Sequence, residues 1–292
     1  MTNTASTIRT VVSLDLDELL DAVRELRIGG RWERASRLLE SAVVTEARAR
    51  ARTALAAAEV ALESDWFGGT GLAGARLDAA EKVFDESGLD GLDGRWDLDF
   101  LRLRHDYLGL LRVDGTFRAG PEGKDPEALA ALRRRAANLR ERGADAVHRG
   151  WAEMYLGLIA DNLFAERDVA PAHYEAALRM GESGDDLLSR EALRHLGDHD
   201  HDRGDHARAR ERWSRATALG ARAGTVPGTL SQQMLLAVLA RDTGDEAGAA
   251  ALAREIARWA GAIGATTTEA QANGFLTGVD PTAPPSASDA GR

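Results

Sequence analysis

The sequence predicts an all-α protein, and three observations predict it. Apolar residues recur at intervals of three and four over long stretches, the period of an amphipathic helix. Those stretches are filled by Ala, Leu, Arg and Glu, which are strong helix formers, while aromatic residues make up only 5% of the chain. Sustained apolar–polar alternation of strand length is lacking, and Gly, Pro and Asp-Gly pairs punctuate the helical pattern.

Taken in order, the period predicts helices near 14–28, 31–46, 48–65, 72–87, 95–112, 126–142, 145–165, 168–181, 186–203, 206–222, 228–242, 245–263 and 266–275. Asp125 before Pro126, and Pro171 after Ala170, are first-turn signals, since proline lacks an N–H that the first turn leaves unused. Residues 1–11 and 277–292 carry too little apolar surface to order themselves and are expected to be disordered. No composition shift divides the remainder, so 12–276 reads as one continuous helical domain.

Composition excludes several functions. The chain has 292 residues, 37 basic against 47 acidic, for a net charge of −10. That balance argues against a general duplex-DNA binder, which needs a cationic surface. Zero cysteines exclude disulfides, thiolate metal sites and a cysteine nucleophile. No apolar run reaches the roughly 18 residues of a membrane span, and the start Met-Thr-Asn-Thr-Ala-Ser lacks the order of a secretory signal. A cytoplasmic location, no membrane partner and no nucleic-acid partner are therefore expected. Lys82 and Lys124 are the only lysines, an arginine bias expected of a GC-rich genome such as an actinobacterial one.

Internal repetition is the next feature. Leu196-Gly197, then Gly204, Ala209, Trp213 and Ala216, form one unit; Gly30, Ala35, Leu39 and Ala42 repeat it early, and Gly244, Ala249, Ala253 and Ile256 repeat it late. Weaker copies include Ala80 with Phe84, Leu108-Gly109, and Leu156-Gly157 with Ala170, Tyr174 and Ala177. Small residues let antiparallel helices approach, a larger apolar residue fills the gap, and glycine closes the turn. On these residues the chain resembles the tetratricopeptide repeat family over most of 14–263. The 40-residue step from Gly204 to Gly244 is similar to its longer-helix variants. The resemblance implies a right-handed superhelical array of about six antiparallel helical hairpins, an α-solenoid, interrupted at 67–74 and 114–125.

The segment His195-Leu-Gly-Asp-His-Asp-His-Asp-Arg-Gly-Asp-His206 holds four of the seven histidines. On a helix, His195, His199 and Asp202 share one stripe, and Arg194, Asp198 and His201 the adjacent one. Imidazoles four residues apart beside a carboxylate suit Zn²⁺ or a similar ion, or general-base work. A solvated helix end, with histidines favoured by the helix dipole, accounts for them more simply, since no third metal ligand is identified.

The resemblance implies that these helix positions line a concave groove. By the same placement Asp106, Tyr107, Trp151, Tyr155, Asp161, Asn162, Arg194, His195, Asp198, His201, Asp202, Gln232, Met234 and Arg241 are expected to line it, with His105 near. Asp200 stands where the repeat pattern has an apolar residue and needs a donor if buried. The family's clamp for a C-terminal carboxylate is not reproduced: Leu20, Arg24, Arg194 and Asp198 stand at the matching places. Gly120-Pro-Glu-Gly-Lys124-Asp lacks phosphate-loop spacing, and the Arg133–Arg142 run lies among acidic neighbours.

The expected function is a cytoplasmic scaffold that holds a peptide, protein segment or small ligand in the groove without a cofactor. Asp161, Asp198, Asp202 and Asp242 make that groove acidic and suit it to a basic partner. The alternative is an enzyme or metal-dependent small-molecule binder built on His195, His199 and His201, with His195, His199 and Asp202 as its catalytic or metal-ligating set.

Overall fold

The structure, a computed structural model, describes residues 13–87, 94–113 and 116–282. Of the disorder expected at 1–11 and 277–292, residues 1–11 and 283–292 lie outside the described residues, while 277–282 are described and form turns beyond the last helix. Among the described residues the chain is all-helical: α1 (Leu16–Ile28), α2 (Trp32–Ser41), α3 (Ala47–Gly68), α4 (Ala73–Glu86), α5 (Arg95–Leu111), α6 (Pro126–Arg142), α7 (Ala146–Leu158), α8 (Ala170–Gly181), α9 (Asp186–Asp202), α10 (His206–Arg222), α11 (Val226–Asp242), α12 (Glu246–Ile263) and α13 (Thr266–Leu276). The one departure is a two-residue antiparallel ladder, β1 (Arg112–Val113) with β2 (Thr116–Phe117), which pairs Arg112 with Phe117.

Each predicted helix is present, and the differences have local causes. α2 ends at Ser41, not near 46, because Val43-Val44-Thr45 is a β-branched run that loses side-chain freedom in a helix. Glu46 then opens α3 by accepting the backbone N–H of Arg48 at 2.9 Å and of Ala49 at 2.6 Å. The stretch 145–165 divides: α7 stops at Leu158 and one π turn covers Ile159–Leu163.

Repetition is visible in three independent kinds of contact. Aspartate caps recur at a fixed step: Asp145 and Asp185 open α7 and α9, and Asp205 and Asp245 open α10 and α12. Each accepts the backbone N–H three residues on, at 2.8–3.1 Å. Glycines face aromatic rings in register. A Cβ on Gly157 would lie 2.5 Å from the Tyr174 ring, and one on Gly197 would lie 2.4 Å from Trp213 Nε1. Ion pairs join successive units over 33–36 residues: Asp17–Arg52, Arg27–Glu63, Glu40–Arg76, Arg167–Asp202, Glu182–Arg215 and Asp186–Arg222. Those on the surface each contribute only up to about 1 kcal/mol, but their common step marks a helical-repeat chain.

Helices pack as sequential neighbours, yet the odd-numbered ones also touch one another: α1 with α3, α3 with α5, α7 with α9, and α11 with α13. With the Arg104–Tyr155 bond from α5 to α7 and the His201–Asp242 bond from α9 to α11, the odd-numbered helices share one layer, termed the inner layer. One core cluster runs from α5 to α9 around Leu103, Tyr107, Leu139, Ile159 and Tyr174.

A second cluster joins the two ends of the chain. Val23, Trp32, Leu39 and Val60 share it with Met234, Val238, Ile256 and Phe275. α13 rests on α3, and Thr266 Oγ1 donates to the Gly68 carbonyl at 3.3 Å across 198 residues of sequence. The turn at Gly30, with φ +75°, lies against Pro227 and Ile263. The helical array thus returns onto its own beginning.

Candidate functional site

The inner layer concentrates ionisable side chains that sequence position alone scatters over α1, α3, α5, α7 and α9. Arg27 of α1 pairs with Glu63 and lies 3.5 Å from Glu59, both on α3. Arg104 of α5 donates through Nε to the Tyr155 hydroxyl of α7 at 3.2 Å. Tyr155 packs edge-on against Tyr107, with centroids 5.5 Å apart, and edge-on against Phe100 at 5.2 Å. The π turn contributes Asp161 and Asn162: its extra residue redirects the end of α7 toward α9 and α5. Asn162 Nδ2 donates to the Tyr107 hydroxyl at 2.7 Å.

Asp161 is the most committed group of the set. Its Oδ2 accepts from His199 Nε2 at 2.9 Å and from the Tyr174 hydroxyl at 3.2 Å, and Oδ1 lies 3.3 Å from Arg167. Burial pushes its pKa up, but the His199 hydrogen bond and charge, Arg167 and His195 outweigh that and hold the carboxyl below its ordinary range. Tyr174 is pushed the other way, by burial and by the Asp161 charge, and stays protonated.

The histidine-rich end of α9 is divided among three surroundings. His199 is 5% exposed beside Asp161. His195 stacks on Tyr174 at 5.2 Å, accepts from Arg194 Nη1 at 3.1 Å through Nε2, and turns Nδ1 toward Asp198 at 3.3 Å. His201 bonds Asp242 through Nε2 at 2.8 Å and stacks on His206 at 5.4 Å. Asp202 is held by Arg167. His195, His199 and Asp202 are therefore not brought to one point, and among the described residues no group of three or more His, Asp or Glu is arranged to hold a metal ion.

Asp200 is buried and meets arginines, not histidines. Arg203 and Arg212 each lie 2.7 Å from it, with Arg208 at 3.7 Å. Arg203 donates to Oδ1, while Oδ2 is buried without a hydrogen bond and is compensated by the charges of Arg212 and Arg208, so the group ties α9 to α10 electrostatically.

Other sequence-predicted residues have assorted places. Trp151 donates to the cap Asp185 at 2.9 Å, and Met234 packs in the core cluster that joins the chain ends. Gln232 is wholly buried, with neither amide atom hydrogen-bonded. Asp106 is held by Arg135 at 2.5 Å and lies 3.3 Å from His105. Arg241 lies 4.2 Å over the Phe275 ring and 3.3 Å from Asp280. Tyr107, Tyr155, Asp161, Asn162, Arg194, His195 and Asp198 fall together on the inner layer.

Sequence reading missed Arg27, Glu59, Glu63, Arg104, Arg190 and Glu191. A signal for two of them existed: Arg104 precedes Tyr107 by one helical turn, and Glu191 precedes Arg194 likewise, so each pair shares a face. Burial opposes the charge on Glu191 and Asp198, but their pKa values remain below the usual range. Arg190 and Arg194 achieve this for Glu191, and His195 with Arg194 for Asp198. Neither a protein-family model nor a curated protein matches the chain.

Proposed function

We propose that the protein is a binding scaffold of the tetratricopeptide kind, a superhelical run of about six hairpins that takes up a ligand segment on the inner layer. The Gly157–Tyr174 and Gly197–Trp213 seats, the 40-residue step of the aspartate caps and the layering of the odd-numbered helices support the architecture. The observation that carries the function is the line of Arg104, Tyr155, Tyr107, Arg194, His195 and Asp198. Half-buried charged tips stand there on rigid helices over the buried Tyr107 and Tyr155 rings, which suits recognition of a polar segment.

Acid–base or metal-assisted catalysis receives less support. His199 is 5% exposed with Nε2 given to Asp161, and Asp202 is paired with Arg167, so the two do not meet as the acid–base or metal set requires. Among the described residues no helix is long and apolar enough to cross a membrane, and a protein or peptide partner is the reading that fits a repeat scaffold.

Site-specific photocrosslinking tests the proposal. Benzoylphenylalanine placed at Tyr155 or His195 in source cells should capture a discrete partner, while the same probe at the outer positions Arg37 and Arg215 should not. Capture restricted to the outer positions would overturn it.

A further inference from the structure

Each hairpin of a helical array buries its faces against its neighbours, so the first hairpin has one face turned away from the next. Asp17, Arg27 and Glu40 of α1 and α2 point toward the next hairpin, where they pair with Arg52, Glu63 and Arg76. Glu18, Ala22 and Glu25 follow one another at steps of four and three on the opposite side of α1, and Arg31, Arg34 and Leu38 at three and four along α2. The helices returning from the far end meet this hairpin at its turn, where Gly30 lies against Pro227 and Ile263. They leave Glu18, Ala22, Glu25, Arg31 and Arg34 exposed.

Between the two rows runs an open groove of about 720 Å³, with Ala22 and the half-buried Leu26 and Leu38 along it. Its charges are sorted by helix. α1 contributes Glu25, with Glu18 and Asp21 earlier on the same helix, and α2 contributes Arg31, Arg34 and Arg37. Among the described residues Glu18, Asp21, Glu25, Arg31 and Arg34 have no side-chain hydrogen bond or ion pair, and Arg37 pairs only with Glu33 of its own helix, at 2.9 Å. A face that served only to keep the end of the array soluble would be polar throughout. This one sets an apolar line between an acidic row and a basic row.

We propose that this face binds a second copy of the chain as a two-fold dimer. An interface of that symmetry has to be complementary to itself, and an acidic helix beside a basic one meets the requirement. A two-fold axis parallel to the helices lays α1 of each copy over α2 of the other. Glu25 stands four residues before Gly29 and Arg34 four after Gly30, so the two lie at the same height on the hairpin. Each Glu25 then faces the other copy's Arg34. An axis across the helices would lay α1 on α1 and set acid against acid, so the charge pattern selects the first arrangement. Closing the apolar line between the copies reduces competing water and strengthens the ion pairs beside it. α1 and α2 are 13 and 10 residues long, or about 20 and 15 Å, a patch of the size that gives reversible association. The assignment is independent of what the inner layer takes up.

Sedimentation equilibrium of the full chain, from the micromolar to the millimolar range, tests this with Glu25→Arg and Arg34→Glu. Both positions are exposed, and each new charge is the one its helix end favours, so the variants should melt near wild type. Wild type should show a monomer–dimer equilibrium that either reversal alone weakens by about tenfold or more. An equimolar mixture of the two variants should restore it, because a mixed pair is complementary at both contacts. Association through this face joins the chain to itself, at twice its mass, and so stays distinguishable from capture of a foreign partner on the inner layer. A wild type that remains monomeric throughout would overturn the proposal. So would a dimer that neither reversal weakens, or a loss that mixing does not restore. A monomer whose Arg31 and Arg34 bind a hexaglutamate peptide would replace the second copy by an acidic partner.

Discussion

Trp213 occupies the space that a side chain at position 197 would need. A Cβ on Gly197 would come within 2.4 Å of the indole Nε1 and 2.5 Å of Cδ1, and that Nε1 is itself anchored to the Arg194 carbonyl at 2.9 Å. The ring cannot retreat without giving up this bond. Gly197→Ala should therefore destabilise the protein by about 1–3 kcal/mol, the usual cost of overpacking a filled core. Gly109→Ala, in α5 with nothing within 4 Å of its new Cβ, should instead stabilise by up to about 1 kcal/mol through helix propensity. Urea unfolding of the two variants gives the comparison. Equal effects would mean that the glycine–tryptophan seat does not hold α9 to α10.

Acid should attack the protein through Asp161. Its folded pKa is below the unfolded value, so the unfolded state takes up a proton first on acidification. The stabilisation is fully present above the unfolded carboxylate pKa of about 4 and is lost as pH falls through the depressed folded value. Asp161→Asn should cost about 1.5–3 kcal/mol at pH 7, the worth of hydrogen bonds to a buried charge. It should also flatten the decline of stability below about pH 4. Denaturant midpoints measured from pH 7 down to pH 3 test both. A variant whose acid decline matched wild type would place the sensitivity elsewhere, for instance at Asp198 or Glu191, whose carboxyls are held low as well.

Metal titration bears on the histidines of α9. With His199 on Asp161, His201 on Asp242 and Asp202 on Arg167, binding Zn²⁺ there would have to break existing pairs. Calorimetry with Zn²⁺, Ni²⁺ and Mn²⁺ on stripped protein should show no stoichiometric micromolar site, and His195→Ala/His199→Ala should leave any weak binding unchanged. Tight binding abolished by the double variant would reverse this reading and move the weight to metal chemistry.

How legible this was in the sequence depended on the range of the interaction. Helix positions follow from local period and first-turn signals, so Asp125–Pro126 and Ala170–Pro171 mark starts that the structure uses. Gly197 and Trp213, sixteen places apart, are still within one hairpin, and their spacing reveals the seat. Asp161 is different. Its role arises because a π turn, invisible to a 3.6-residue period, aims it at His199 on the next unit. Arg27 and Arg104 are further removed still: nothing in the local pattern of α1 or α5 distinguishes an inward arginine with a carboxylate from one without.

The return of the chain onto its beginning is also a long-range feature, and it makes a mechanical prediction. Phe275 of α13 is 6% exposed in the cluster that contains Val23, Trp32 and Val60 of α1–α3. Phe275→Ala should cost about 3–5 kcal/mol, and the loss should surface where that cluster lies. Amide hydrogens of α1 and α3 should exchange faster by local opening, although they stand more than 200 residues earlier in the chain. Leu139→Ala, a cavity of similar kind in the α5–α9 cluster, should speed exchange in α5–α9 and spare α1 and α3 short of global unfolding. If the two variants gave the same exchange pattern, the helices would be opening as a single cooperative unit. If Phe275→Ala left α1 and α3 untouched, the ends would touch without supporting each other, and α13 would serve only to cover α12.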